Sequence, residues 1–477
     1  MESIWSRTCK LKAREPLRGD TETEIAVIGA GMAGILSAAA LRDAGRRVVV
    51  LEAGRFGSGQ TGNTTAKITS QHGMIYRNLI DSFGTDKARQ YAMANEAAIR
   101  EYRRMVESQG IACDFETCDA FVYGNDVEQL GSEADAAAEL GLPASFIGET
   151  PLPFPAAGAV RFTGQAQLHP LKFLNAVAEP LKIYEQTPVR KVAGNEVVTD
   201  RGTLRAEKII FTCHFPFVNF PGMYFARMHQ ERSYVLALEN AGKIEGMWIG
   251  AETGAYSFRR YGKLLLLGGE AHRCGENSEG GRYEALRKKA RAWFPGSREL
   301  ACWSAQDCMT ADGVPYIGPY AAGKPDWYVA TGFRKWGMTT SMVSAMLLRD
   351  LICGVENPYA EVFDPRRFDT EAVSGIACEG GQAVKGLAKR LFQFPSAQAD
   401  ELPPGHGGVV FLDGEKLGVY KDERGNIFSV DLSCPHLGCQ VEWNPDERSW
   451  DCPCHGSRFD HRGNLISGPA QEGLRHG

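Results

Sequence analysis

A chain of 477 residues, 43% hydrophobic and 23% charged, is too long for one ordinary core and has a globular composition, so two or three domains are expected. Its formal net charge of −5 argues against nucleic acid, which needs a strongly basic face. No apolar run is long enough to cross a bilayer, and the opening Met1-Glu2-Ser3-Ile4-Trp5 lacks the basic-then-apolar start of a secretory signal, so a cytoplasmic protein is expected.

After an arm of residues 1–23, an apolar strand over 24–28 runs into Gly29-Ala30-Gly31-Met32-Ala33-Gly34, and an Ala- and Leu-rich helix follows through Leu41. Gly45 ends it, and a second strand over 47–51 delivers Glu52: the strand–turn–helix–strand of a dinucleotide-binding unit. Helical spacing marks residues 86–108 and 134–140. Pro151, Pro153 and Pro155 then break the chain before a helix near Pro170. Short strands are expected over 189–198 and 202–211, and an antiparallel sheet suited to a substrate wall over 216–268. Residues 314–330 return to the nucleotide-binding core, and an amphipathic helix covers 339–352. Residues 373–400 read as a linker. Beyond Pro403-Pro404-Gly405, short strands at 408–412, 416–420 and 427–431 announce a small β domain over 401–477.

Nine of the thirteen cysteines are scattered singly and read as reduced, mostly buried thiols. The other four fall in Cys434-Pro435-His436-Leu437-Gly438-Cys439 and Cys452-Pro453-Cys454-His455-Gly456-Ser457. Two thiolates and two imidazoles suit a [2Fe–2S] cluster with one iron on cysteines and the other on histidines, but zinc takes the same donors. The cluster is favoured because Cys-x-His is tight for a zinc finger, each pair has an extra cysteine, and Gly438 and Gly456 permit tight wrapping loops. The two boxes resemble those of the Rieske family. The resemblance implies Cys434, His436, Cys452 and His455 as ligands, and a disulfide between Cys439 and Cys454. It also matches Ser457 to a serine that hydrogen-bonds toward the cluster sulfur in high-potential relatives, whereas Phe459 stands where those relatives have tyrosine. A potential below the top of the Rieske range of about −150 to +300 mV is expected.

In the first domain, Gly29, Gly31 and Gly34 let a pyrophosphate approach the helix N-terminus, and Glu52 can take ribose hydroxyls. The small, hydroxyl-rich loop 57–67, with Thr61, Thr64 and Thr65, resembles the second flavin-contacting segment of the D-amino-acid oxidase, glycine oxidase and sarcosine oxidase superfamily. Asp312-Gly313-Val314-Pro315 and Gly332-Phe333-Arg334-Lys335-Trp336-Gly337-Met338-Thr339 resemble that superfamily's C-terminal flavin motifs. The resemblance implies FAD contacts at Asp312, Gly332, Gly337, Met338 and Thr339, with Thr339 or Thr340 capping the next helix. That helix's positive end would favour an anionic reduced flavin. Cys308 lies near the segment where some relatives attach FAD covalently, but reads as a buried thiol.

The expected architecture is therefore α/β plus β: a Rossmann-like FAD domain (about 24–85, 150–215 and 300–372), an inserted antiparallel-sheet substrate domain (about 86–149 and 216–299), and an all-β Rieske domain. The implied reaction is oxidation of an amine or amino acid. Arg259 is the first candidate for the cation that holds a substrate carboxylate, and His72, Lys67, His272 and Lys335 are ring-facing candidates. FAD would take two electrons and the cluster would remove them singly, for an external acceptor protein or quinone. Two alternatives stand beside this: a reductase with electrons flowing from cluster to flavin, and a redox-sensing or electron-transfer protein without its own substrate.

Overall fold

The computed structural model describes residues 1–367, 402–412 and 415–476, so the expected linker lies outside the described residues. Strand Thr21–Ile28 is the centre of an eight-stranded sheet. Ile25 and Val27 enter one core while Ala26 and Ile28 enter another, which is why the run reads as continuously apolar: both faces are covered. Gly202–Phe211 and Val48–Leu51 flank it in parallel, followed by Trp327–Thr331 on one side and Lys182–Tyr184 on the other. Helices Met32–Asp43 and Gly337–Cys353 pack together over this sheet. The second is buried around most of its circumference, so the expected amphipathic stripe is absent: it is an internal helix.

A second sheet has nine strands. Its order is Arg298–Thr310, Met228–Glu239, Leu264–Arg273, Ser257–Tyr261, Met247–Gly250, Glu116–Gly124, Gly158–Gln167, Lys67–Ile68, with Ala144–Ile147 also paired to Gly158–Gln167. Lys67–Ile68, Gly158–Gln167 and most of Arg298–Thr310 fall in spans expected in the flavin core (24–85, 150–215 and 300–372) but pair in this sheet instead. Gly158–Gln167 pairs antiparallel with Glu116–Gly124, and Arg298–Thr310 with Met228–Glu239. The N-terminal arm is also anchored. Helix Ile4–Thr8 buries Trp5, whose indole donates to the Thr64 carbonyl at 2.6 Å, while Ser3 Oγ donates to the Gly62 carbonyl at 2.5 Å.

The C-terminal domain has a three-stranded sheet (Gly407–Leu412, Glu415–Lys421, Ile427–Val430) and a four-stranded one (Glu442–Asn444, Ser449–Asp451, Arg458–Asp460, Leu465–Ser467) around Tyr420, Trp443, Trp450 and Phe459. It is docked by hydrogen bonds. Asp446 accepts from the backbone of Gly281 and Arg282, at 3.2 and 3.0 Å, and from Asn277 Nδ2 at 2.9 Å. Tyr283 donates to Glu447 at 2.9 Å.

Candidate active site

A cavity of about 1210 Å³ runs from the glycine-rich turn to the second sheet. That exceeds the roughly 300–1,000 Å³ of an ordinary small-molecule pocket and suits an extended cofactor with room for a substrate. The turn is built for close approach. Gly29 has φ +105°, and a Cβ there would stand 2.7 Å from the Thr212 carbonyl oxygen. A Cβ on Gly34 would fall 1.9 Å from the Gly29 carbonyl oxygen, so Gly34 serves helix–strand packing and does not line the cavity. Glu52 lines it, accepting from the backbone of Ala30 at 2.8 Å and Gly54 at 2.9 Å, and burial raises its pKa. The N-cap of helix Met32–Asp43 is Gly31, which has no side chain, and Thr61 Oγ1 accepts from Met32 N–H at 2.9 Å, so the helix start faces the cavity with a positive end that favours an anion. These features fit a dinucleotide diphosphate with its ribose at Glu52.

Gly31, Thr61, Thr64, Thr65, Gly332, Gly337 and Met338 also line the cavity. Two expected contacts do not. Both Asp312 oxygens accept from Arg367, at 3.0 and 2.8 Å, so this carboxylate braces the turn that follows it. Thr339 lies inside its helix and donates to the Thr69 carbonyl at 3.1 Å; neither it nor Thr340 is the cap, which falls at Trp336 with no side-chain bond. The uncapped start of that helix, with Gly337 and Met338, faces the cavity.

The substrate candidates separate cleanly. Arg259 is a correction: it is 1% exposed, absent from the cavity lining, and fully engaged. Its Nε donates to Gln167 Oε1 at 2.8 Å, its two terminal nitrogens donate to the carbonyls of Thr65 and Leu168, and Trp5 covers it, ring centroid 5.2 Å away. His72 is likewise withdrawn, held between Tyr91 Oη at 2.6 Å and the Thr69 carbonyl at 2.8 Å, with burial pushing its pKa down to about 3. Its ring stacks behind Trp336, which lines the cavity. His272 points to the opposite face of its strand from the cavity-lining Ala271 and bonds Tyr234 Oη at 3.0 Å.

Lys67 and Lys335 do line the cavity. Burial and the nearby Arg259 charge lower Lys67 to about 7. Lys335 pairs with Glu231 at 3.1 Å. Sequence reasoning missed Asp307, which also lines the cavity and sits opposite Glu231 across the strand pair. Burial lifts Asp307 to about 7, against the pull of Lys335. It missed His214 as well, a cavity-lining residue at φ +69° whose ring burial pushes down to about 4. Only its non-glycine left-handed backbone singles it out, and that is invisible in sequence.

The cluster loops form a matched pair. Cys434 N–H donates to the Cys439 carbonyl and Gly438 N–H to that of Cys434, both at 2.9 Å. Cys452 N–H donates to the Ser457 carbonyl at 2.8 Å and Gly456 N–H to that of Cys452 at 3.0 Å. Cys439 and Cys454 are joined in a disulfide between the loops. Cys434 and Cys452 are buried side by side, and the Nδ1 atoms of His436 and His455 face each other 3.2 Å apart. Two free thiols and two convergent imidazoles fit a Rieske cluster. Ser457 Oγ lies within hydrogen-bonding reach of Cys434. Phe459 is fully buried in the strand behind it. Phe459→Tyr is expected to raise the cluster potential in a redox titration by roughly 40–60 mV, the one-electron equivalent of about 1–1.4 kcal/mol of added hydrogen bonding to the reduced state.

These loops face the flavin module. Strands Met228–Glu239 and Arg298–Thr310 turn Ser233, Val235, Ala305 and Asp307 toward the cavity and Gln230 and Gln306 toward the loops. Gln230 Nε2 donates to the His455 carbonyl at 2.5 Å, and Gln306 Nε2 to that of Gly456 at 2.8 Å. His214 Nε2 meets Gln230 Oε1 at 3.2 Å, so a hydrogen-bonded path leads from the cavity wall to the backbone of His455. His455 is 4% exposed, with Phe215 and Phe225 edge-on to its ring, and His436 Nε2 bonds Asn219 Oδ1 at 2.8 Å.

A family model of FAD dependent oxidoreductases matches residues 24–351, and one of the Rieske [2Fe-2S] domain matches residues 392–476. The chain is 38% identical to YhfW of Bacillus subtilis (strain 168), named for a Rieske 2Fe-2S iron-sulfur protein, over 99% of this chain and 97% of that one. In fold it is similar to glycine oxidase from Geobacillus kaustophilus (TM-score 0.62, 17% identity, 73% of this chain and 99% of that one). It is similarly related to L-proline dehydrogenase from P. horikoshii (TM-score 0.61, 18% identity, 74% and 98%). No helix among the described residues is long and apolar enough to cross a membrane.

Proposed function

Because the chain belongs to the FAD-dependent oxidoreductase family and carries a C-terminal Rieske [2Fe–2S] domain, we propose that it oxidises the C–N bond of an amine or amino acid and passes the electrons singly to an external acceptor protein or quinone. The supporting observation is the shared pair of strands, whose opposite faces line the cavity and hold the cluster loops, with His214 and Gln230 bonded across. FAD would supply a two-electron acceptor, and the Rieske cluster a one-electron carrier, which Cys434, His436, Cys452 and His455 would hold.

The rest is chemistry of the wall. An amine gives up hydride only when neutral, so a resident base must remove the ammonium proton. Asp307 and Lys67 both titrate near 7 inside the cavity, which makes each able to hold that proton at neutral pH. With Arg259 engaged elsewhere, Lys335, which lines the cavity and pairs with Glu231, is the candidate cation for a substrate carboxylate. Asp307 is raised above the usual carboxylate range, so its basic form grows as pH rises through about 7, and kcat/KM should rise with it. Asp307→Asn is expected to remove that limb and lower kcat/KM about 10²-fold at alkaline pH. Lys67→Met should keep the limb and raise KM. A limb that survives in Asp307→Asn and disappears in Lys67→Met reverses the two roles.

The reaction is tested by anaerobic titration of the holoprotein with secondary amines and amino acids. Bleaching of the flavin band together with a Rieske EPR signal supports the reading. A cluster reduced only by dithionite, beside a flavin inert to every amine, would favour a reductase or a sensor.

A further inference from the structure

The cavity has one wall that the oxidoreductase fold does not supply. The segment from Leu465 to Gly473 of the Rieske domain lines it, together with the nucleotide-binding turn. This wall stands at the Glu52 end. Thr187 N–H donates to the Glu52 carbonyl at 2.9 Å, and three residues further on Arg190, ion-paired to Asp200 at 2.7 Å, donates to the Gln471 carbonyl. Thr187, Arg190, Asp200 and Gln471 all line the same cavity.

The segment cannot swing aside alone. Ala470 N–H donates to Ser457 Oγ at 2.9 Å, Leu474 N–H to the Gly463 carbonyl at 2.8 Å, and Asp431 N–H to the Arg475 carbonyl at 2.9 Å. It therefore moves with its domain, and the domain is held by Gln230 and Gln306 at the cluster loops and by Asp446 at residues 277–282.

We propose that residues 465–473 of the Rieske domain complete the FAD site at its Glu52 end and retain the cofactor, so that FAD leaves only when the domain undocks. The iron–sulfur domain is thus also a flavin-binding element. This rests on the FAD site and not on the substrate class.

The test is the rate of flavin release from full-length holoprotein on dilution, read by the fluorescence of the freed cofactor. Ile466 lines the cavity yet is 51% exposed, so a charged residue is tolerated there. Because the cofactor carries a negatively charged diphosphate, Ile466→Glu in the same cavity should speed release and Ile466→Lys should slow it, each by about three- to tenfold at low salt and less at high salt. Asp446→Ala weakens docking through Asn277, Gly281 and Arg282, none of which lines the cavity, and should also speed release. Equal release from the two Ile466 variants, or release from Asp446→Ala at the wild-type rate, would overturn the proposal.

Discussion

Cys452→Ser is expected to give a flavoprotein that substrate still reduces in a single turnover but that no longer delivers electrons to the external acceptor. The substitution removes one of the four proposed cluster ligands and changes little else. Cys452 is buried, and its loop is closed by backbone bonds that serine can keep, to Ser457 and Gly456. The disulfide between Cys439 and Cys454 and the Trp443–Trp450 core remain to hold the domain. Loss of the Rieske EPR signal with unchanged FAD content would establish that only the cluster has gone. Acceptor reduction should then fall to background, because the flavin cavity lies behind the strand pair that carries Gln230 and Gln306. Wild-type acceptor reduction by the variant would show that electrons leave the flavin directly, and the cluster would lose its place in the pathway.

The second large effect is on stability. Arg259→Met should destabilise the protein by about 3–5 kcal/mol, seen as a lower thermal midpoint, and leave KM nearly unchanged in the protein that folds. The guanidinium satisfies Gln167 Oε1 and the carbonyls of Thr65 and Leu168 under the cover of Trp5, and methionine would strand all three acceptors. Burial lowers the Arg259 pKa to about 10, which still leaves it charged at neutral pH. A substrate-binding arginine would show the reverse pattern, a raised KM with an unmoved thermal midpoint.

Arg259 also marks where sequence reading ends. Gly29, Gly31 and Glu52 were legible because turn, helix and strand follow one another along the chain, and the ligand boxes because each loop closes on itself. The partners of Arg259 come from three distant places, and an arginine in an antiparallel strand reads the same whether it faces substrate or carbonyls. Asp307 was hidden for a related reason. In an alternating strand a lone acid suggests a solvent-facing position, and only pairing with Met228–Glu239 turns it into the cavity beside Lys335. The strand Gly158–Gln167 was not legible in the sequence, where residues 151–169 offer only prolines and the start of the next helix, and its pairing with Glu116–Gly124 shows its place.

The amide contacts at the cluster loops have a kinetic meaning. Gln230 and Gln306 are neutral and buried, and both redox modules sit on one chain, so no diffusional encounter precedes exchange between them. Internal transfer should be first order, with a rate constant indifferent to protein concentration and nearly indifferent to ionic strength. Separate redox proteins steered together by surface charge slow as salt is added. Only the final handover, to a partner that must arrive from solution, should carry that signature.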